Sequence, residues 1–313
     1  MSFSNDVRAE ISQHKLGSNI EALIELSAIL KTNASISIRN AFFNINFNTE
    51  SEAVSKRIYR LINQLYDYES TVQFLKNDNI QKKGLFTISI EDEKIVESLL
   101  NSSGIDFYGN YTVSKELLLK RLEDSNGKKK AAYLRGAFIG AGSIVNPKKN
   151  YHLEMIFNRL EDYEFTKAIL DQMELEPLLN IRKEKYVLYF KDSEKIASFL
   201  NLIGATTAML ELENIRIYKD LRNNVNRQVN CDTANINKTL KASERQVAQI
   251  KYIDQHIGLN KLPEQLRDLA KQRLSKPDVS LKQLGQLMDP PISKSGVGHR
   301  MKKIEEIYKS IKS

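Results

Sequence analysis

Two segments of the same build, 108 residues apart, restrict what this chain can fold into. Glu25–Ile36 reads ELSAILKTNASI and Tyr133–Ile144 reads YLRGAFIGAGSI. Each is an apolar helix that ends in small residues followed by Ser-Ile and turns directly into a strand. Gly136 and Gly140 lie four apart, on one helix face, and Ala137 and Ala141 widen that smooth strip. A glycine inside a helix costs roughly 1 kcal/mol relative to alanine, so two of them call for a packing reason. Close approach by the backbone of a second helix supplies one, and the first segment is the natural partner.

The flanking elements repeat as well. After the first segment, Ser35–Arg39 and Ala41–Asn48 are predicted strands. The second alternates Phe43, Ile45 and Phe47 with Asn44, Asn46 and Asn48, the pattern of a half-buried strand. Glu52–Tyr66 has helical spacing, Thr71–Leu75 and Leu85–Ile90 read as strands, and Glu91–Leu100 as a helix. After the second segment come strands at Ser143–Val145 and Tyr151–Asn158, a helix at Glu161–Met173, a hairpin at Leu178–Arg182 and Lys185–Phe190, and a helix at Ser193–Leu202. Helix–strand–strand–helix–strand–strand–helix therefore occurs twice, an internal repeat of about a hundred residues. A short helix over residues 5–14 precedes it, and Lys115–Leu122 forms another between the copies. Beyond Gly204 the strands stop. Ala208–Asn226, Ser243–His256 and Leu262–Leu274 read as helices. The Asn-dense run NNVNRQVNCDTANINKT at 223–239 reads as a structured joint, because Asn favours caps and turns.

Charge divides the chain at the same place. Residues 214–313 hold 20 Lys/Arg against 10 Asp/Glu, whereas residues 1–213 hold 27 against 29. All of the net charge of +8 is thus C-terminal. A basic region beside a near-neutral one points to nucleic acid or another anionic surface; a solubilising basic tail is the plainer alternative. No run approaches the roughly 18 apolar residues of a membrane span, and the N-terminal residues lack an apolar signal core. The single cysteine, Cys231, excludes an internal disulfide and fits a reducing, cytoplasmic setting.

Ser280–Ile311 carries the sharpest local signal. Ser280 and Gln283 have capping-box spacing, and Leu281, Leu284, Leu287 and Met288 form an apolar stripe. Asp289-Pro290-Pro291 must end that helix. A second helix starts near Ser293 or Ser295, with Val297, Met301, Ile304, Tyr308 and Ile311 facing inward. Two short amphipathic helices about a tight break make a helix-turn-helix, whose second helix enters the major groove by its N-terminal half. That half offers Ser293, Lys294, Ser295, Gly296, His299, Arg300, Lys302 and Lys303 as the candidate DNA-binding set. Arg227, Lys238 and Lys241 are further phosphate-binding candidates. The plainer alternative is a helical hairpin with a solvated basic face.

Signatures of other chemistry are missing. His14, His152, His256 and His299 are scattered, without partners at metal-ligand spacing. Cys231 has no nearby histidine, and there is no phosphate-binding P-loop. Gly136, Gly140 and Gly142 have the wrong spacing for a dinucleotide fingerprint and close a helix where that motif opens one. No cofactor is expected.

With both paired segments and the C-terminal motif in hand, the chain resembles the WhiA family of bacterial regulators over nearly its full length. YLRGAFIGAGSI and ELSAILKTNASI are similar to that family's two LAGLIDADG helices, and NRQVNCDTANINKT at 226–239 and SLKQLGQLMDPPISKSGVGHRMKKIEEI at 280–307 to its most specific signatures. The resemblance implies an α+β fold with a LAGLIDADG-like pseudo-twofold repeat (αββαββα twice), followed by an all-α helix-turn-helix domain. The expected division is a first repeat with an N-terminal extension at 1–125, a second repeat at 126–206, a helix and Asn-rich joint at 207–240, and the helix-turn-helix domain at 241–313. In active LAGLIDADG enzymes each motif helix ends in a carboxylate that holds divalent metal for phosphodiester cleavage. The corresponding residues here are Asn33 and Ala141, and the motif's other acidic positions are Lys31 and Ile139. The expectation is a non-enzymatic protein that binds double-stranded DNA and regulates cell division, chromosome segregation and, in spore-formers, sporulation. It would be cytoplasmic and nucleoid-associated. The repeated sheets would form a saddle lined by Arg39, Asn44, Asn46, Asn48, His152 and Arg182. Whether that saddle meets DNA, a protein or a small molecule stays open. A residual nuclease and an interaction scaffold are the alternative readings.

Overall fold

The structure, a computed structural model, describes residues 2–39, 42–76 and 84–312, without the side chain of Arg39. Ala41, expected at the head of a strand, lies outside the described residues, as does the side chain of Arg39 expected on the saddle. The chain divides into two compact units, Met1–Lys219 and Asp220–Ser313.

The first unit opens with α1 (Phe3–Gln13) and then runs through α2 (Asn19–Asn33), β1 (Ala34–Arg39), β2 (Phe42–Thr49), α3 (Glu52–Tyr66), β3 (Thr71–Leu75), β4 (Leu85–Ile90) and α4 (Glu93–Ser103). The connecting helix α5 (Lys115–Arg121) leads to the second copy: α6 (Lys128–Ala141), β5 (Gly142–Ile144), β6 (Leu153–Phe157), α7 (Leu160–Asp171), β7 (Leu178–Arg182), β8 (Lys185–Phe190) and α8 (Ser193–Ile203). Both sheets are antiparallel and share one topology, β1-β2-β4-β3 and β5-β6-β8-β7. Capping chemistry repeats too. Asp92 and Asp192 accept from first-turn amides of α4 and α8, and Ser18, Ser51 and Ser114 cap α2, α3 and α5. Each such cap is worth about 1 kcal/mol.

The centre of this unit is the α2–α6 seam. A Cβ on Gly136 would overlap the Glu25 carbonyl, and one on Gly140 would overlap the Thr32 hydroxyl. The glycines thus allow the contact that the sequence predicts. Leu26, Ala28, Ile29, Leu134, Ala137 and Phe138 are buried around it. One feature of the seam is ionic. The Glu25 carboxylate, 2% exposed, accepts from Arg57 Nε and Nη2 at 2.8 Å each and from Arg135 Nη1 at 3.0 Å. Arg57 also donates to the His14 carbonyl, and Arg135 Nε to the Ile203 carbonyl at 3.0 Å. The charges are buried but paired and hydrogen-bonded, the condition under which burial of charge is tolerated.

The unit boundary falls within α9, which spans Thr206–His256 without a break. This corrects the expectation for 207–240: the Asn-rich run is helical, and no joint separates Ala208–Asn226 from Ser243–His256. Asn lowers helix propensity by under about 0.7 kcal/mol per residue, and neither Gly nor Pro occurs between Thr206 and Ile257. Side chains also bond along the helix, Gln228 Nε2 to Asp232 Oδ2 at 3.3 Å and Thr239 Oγ1 to the Asn235 carbonyl at 2.9 Å.

After a 3-10 turn at Leu259–Lys261 the second unit continues with α10 (Glu264–Ser275), α11 (Leu281–Gln286) and α12 (Lys294–Lys312). Pro263 caps α10, which therefore starts two residues later than its apolar periodicity suggests. Ile250, Ile253, Leu269, Leu284, Val297 and Ile304 form the core of the unit. The buried Arg273 closes the α10–α11 loop by donating to the Val279 carbonyl at 2.7 Å.

Candidate nucleic-acid interface

Helix α11 begins with the predicted capping box. Ser280 Oγ accepts from Gln283 N at 3.3 Å, and Gln283 Oε1 accepts from Ser280 N at 2.9 Å. The chain then folds back so tightly that Ile292 N donates to the Gly285 carbonyl at 2.9 Å. A Cβ on Gly285 would overlap the Ile292 carbonyl, so only glycine fits under this turn. Ser293 Oγ caps α12 by accepting from Gly296 N at 3.2 Å, and shares a 2.9 Å hydrogen bond with Ser295 Oγ. Val297, Met301 and Ile304 are buried, with Tyr308 and Ile311 packed at the margin of the core.

That inward anchoring turns the candidate residues outward. Ser293, Lys294, Ser295, His299, Lys302 and Lys303 are exposed; Gly296 and Arg300 are half-buried. Among the described residues, none of Lys294, Arg300, Lys302 and Lys303 forms an ion pair. An uncompensated cationic face at a capped helix N-terminus favours phosphate oxygens by both side-chain charge and free amides. Arg227, Lys238 and Lys241 are exposed on a different element, within the part of α9 over 221–242 that is exposed on every side.

The ends of α2 and α6 have different chemistry. Asn33 and Ala141 close the two helices, and the buried Asn33 Oδ1 has no hydrogen-bond partner among the described residues. The cleft beside them is lined by Asn33, Gly140, Glu50, Glu52 and Arg8. The Arg8 guanidinium donates to the Gly142 carbonyl and lies 6.0 Å from the Phe138 ring centroid. Burial pulls its pKa down, with Glu50 opposing. Glu52 is paired with Lys56 at 2.7 Å. A divalent cation of the LAGLIDADG enzymes needs converging oxygen ligands. At the helix ends stand an asparagine, an alanine and a neighbouring guanidinium, and of the two carboxylates in the cleft Glu50 acts on the Arg8 charge while Glu52 is paired with Lys56, so the set does not fit that requirement. No group of three or more His, Cys, Asp or Glu side chains among the described residues is arranged to hold a metal.

The open faces of the sheets are mostly uncharged. Asn44 is buried, and Asn46 and Asn48 are half-buried. Their amides are already used: Asn46 donates to Ser37 Oγ at 3.0 Å and accepts from Ser89 Oγ at 2.7 Å, and Asn48 accepts from Thr87 Oγ1 at 2.8 Å. In the second sheet His152 Nε2 lies 3.2 Å from Glu154 Oε2, so the one histidine expected there faces a carboxylate. Arg182 is exposed beside Lys185 at the β7–β8 turn.

Sequence models of three families match in order along the chain. The WhiA N-terminal LAGLIDADG-like domain matches residues 19–106, the WhiA LAGLIDADG-like domain 130–222, and the WhiA C-terminal HTH domain 225–308. The chain belongs to the WhiA family. A relative from Clostridium botulinum (strain Hall), named probable cell division protein WhiA, is 39% identical over 100% of this chain and 99% of its own length. Another of that name, from Thermoanaerobacter sp. (strain X514), is 40% identical, with 100% and 98% covered. Among solved structures, full-length DUF199/WhiA from Thermatoga maritima is similar at a TM-score of 0.60 and 25% identity, over 99% of each chain. This WhiA-family chain is accordingly α+β, with two LAGLIDADG-like repeats and a helix-turn-helix. Sequence reasoning found the residues of α12 from their periodicity. It missed Arg8, which reaches Gly142 from 134 positions away and carries no local signal.

Proposed function

We propose that this chain is a DNA-binding regulator that contacts double-stranded DNA through α12, with Ser293, Lys294, Ser295, Gly296, His299, Arg300, Lys302 and Lys303 at the contact. The observation that carries the reading is the free cationic face of a helix whose opposite face is locked into the second unit's core. Arg300 and the lysines supply phosphate and guanine-edge contacts; Arg227, Lys238 and Lys241 add phosphate contacts from α9. No phosphodiester cleavage takes place at the α2–α6 ends, because Asn33 and Ala141 stand where the metal-holding carboxylates would be. The role in cell division that the relatives' names carry extends to this chain, together with chromosome segregation and, in a spore-former, sporulation. The protein acts in the cytoplasm at the nucleoid; no helix of the described residues is long and apolar enough to cross a membrane.

Fluorescence anisotropy of the full-length chain on labelled genomic duplexes tests this. Saturable binding that weakens roughly tenfold or more in Arg300→Ala supports the reading. Binding that is equal in the native chain and the variant overturns the assignment to α12. Supercoiled plasmid incubated with magnesium or manganese should stay uncut.

A second reading has its own observation. Val72, Phe74, Leu178 and Ile181, on the edge strands β3 and β7, are 46–62% exposed. Exposed apolar edges favour a protein partner on the LAGLIDADG-like domain, and pull-down with the full chain against a β3/β7 charge-substituted variant tests it.

A further inference from the structure

Away from both regions, a cavity of about 710 Å³ opens in the first unit between α2, α4, α5, α6 and α7. Sites for small organic ligands fall in the range of about 300–1,000 Å³. Much of its wall is apolar, formed by Leu23 and Ile24 of α2, Leu118 of α5, Tyr133 of α6 and Phe165 of α7, with a polar strip of Ser27 and residues 101–103 of α4. The exposed Ile20 stands at its rim. Three cations share the lining: Lys31, Arg121 and Lys129. Lys129 is occupied, since its Nζ donates to the carbonyls of Arg121 at 3.2 Å and Glu123 at 3.0 Å.

Lys31 is different. Its ammonium lies 4.4 Å from the Tyr111 ring centroid and 5.5 Å from that of Phe165. No described carboxylate forms an ion pair with it, and no described oxygen accepts a hydrogen bond from it. The buried Asp162 is near enough to be felt, but its carboxylate accepts from Tyr111 Oη at 2.6 Å. Burial lowers the Lys31 pKa to about 8, with Asp162 pulling upward and the like charge of Arg121 adding to the decrease. Lys31 and Arg121 therefore line one cavity as like charges, and the carboxylate that acts on Lys31, Asp162, is already engaged by Tyr111.

We propose that this cavity binds a small amphiphilic organic anion. Its carboxylate or phosphate head would lie on Lys31 and Arg121, and its apolar body along Leu23, Leu118, Tyr133 and Phe165. An anionic head supplies the direct ion pair that Lys31 does not form among the described residues, and offsets its repulsion from Arg121. An uncharged apolar molecule would leave the ammonium unpaired, and a bare inorganic anion would leave the apolar walls wet. The repeat strengthens the argument. Ile139 holds the position in α6 that Lys31 holds in α2, so the cation belongs to one half of the pseudo-symmetric unit. The site is independent of DNA binding by α12.

Titration calorimetry of the full-length chain tests this with decanoate, decyl phosphate, decanol and inorganic phosphate, each below its aggregation concentration. Saturable binding of decanoate or decyl phosphate is expected, at least tenfold tighter than decanol or phosphate alone. Whichever head binds tighter identifies carboxylate or phosphate as the natural one. Lys31→Met should weaken the preferred anion at least tenfold. Arg121→Gln, at an exposed position that leaves the fold intact, should weaken it severalfold. Ile139→Met should leave it unchanged. The proposal is overturned if neither anion binds saturably, if decanol binds as tightly, or if both Lys31→Met and Arg121→Gln bind like the native chain.

Discussion

The α2–α6 seam and the α11–α12 turn are closed in the same way and present opposite chemistry. In each, a helical glycine sits directly under a backbone carbonyl: Gly136 under Glu25, and Gly285 under Ile292. In each, a serine or asparagine stands at a helix end, Asn33 closing α2 and Ser293 opening α12. Yet the seam ends in a neutral amide, a methyl group and a guanidinium already bonded to Gly142, whereas α12 begins with a cap and a row of cations that form no ion pair among the described residues. Packing and site chemistry are therefore separable. The backbone contact that positions a site depends on small residues, and it persists whatever the neighbouring side chains can bind.

The largest expected effects come from filling those two contacts. Gly136→Val drives a side chain into backbone and should cost more than about 4 kcal/mol. Calorimetry should show the first unit melting early. Gly285→Val should do the converse, abolishing DNA binding while the first unit's transition stays in place. If either substitution melts both units together, the two contacts are not independent. Next is Glu25→Gln, which leaves the buried Arg57 and the half-buried Arg135 without their anion. A loss of about 3–5 kcal/mol is expected in urea unfolding at pH 7. A loss under 1 kcal/mol would mean that the seam is held by apolar packing alone.

Arg300→Ala is smaller and acts on function only: about 1–3 kcal/mol in DNA affinity with an unchanged melting temperature. Smallest is Lys31→Met. The unfolded chain keeps the lysine proton to about pH 10.5, the folded chain only to about 8. The unfolded state thus binds more protons between these values, and native stability rises across that window. Lys31→Met should be more stable than the native chain by about 1–2 kcal/mol at pH 7. That advantage should shrink as pH climbs from 8 toward 10.5. A gap that stays constant across this range would show that Lys31 is not desolvated.

Much of this fold was legible because its signals are local. Alternation over Phe43–Asn48 marks a strand, Ser280 and Gln283 mark a helix start, and the spacing from Val297 to Ile311 marks the buried face of α12. The course of α9 was misread for an equally local reason. Asn-rich composition suggests turns, but a modest propensity penalty does not break a helix that lacks Gly and Pro. What the sequence hides is long-range. Glu25 finds Arg57 and Arg135 across 32 and 110 positions, and Arg8 finds Gly142 across 134. No periodicity encodes such pairs: Glu25–Arg57 exists only once α2 and α3 have packed within the first repeat, and Glu25–Arg135 and Arg8–Gly142 only once the two repeats have closed on each other. The cavity around Lys31 is hidden in the same way, since five helices contribute to it.

The central claim is that DNA is held by α12 and that the saddle contributes little. Its most direct test is the salt dependence of DNA affinity for the full-length chain, compared with Lys302→Ala/Lys303→Ala and with the saddle variant Lys185→Ala/Arg182→Ala. Each lost phosphate contact should reduce the slope of log affinity against log salt by about 0.9. The account predicts a slope shallower by about 1–2 in the α12 variant and unchanged in the saddle variant. An unchanged slope in the α12 variant with a shallower one in the saddle variant would contradict it.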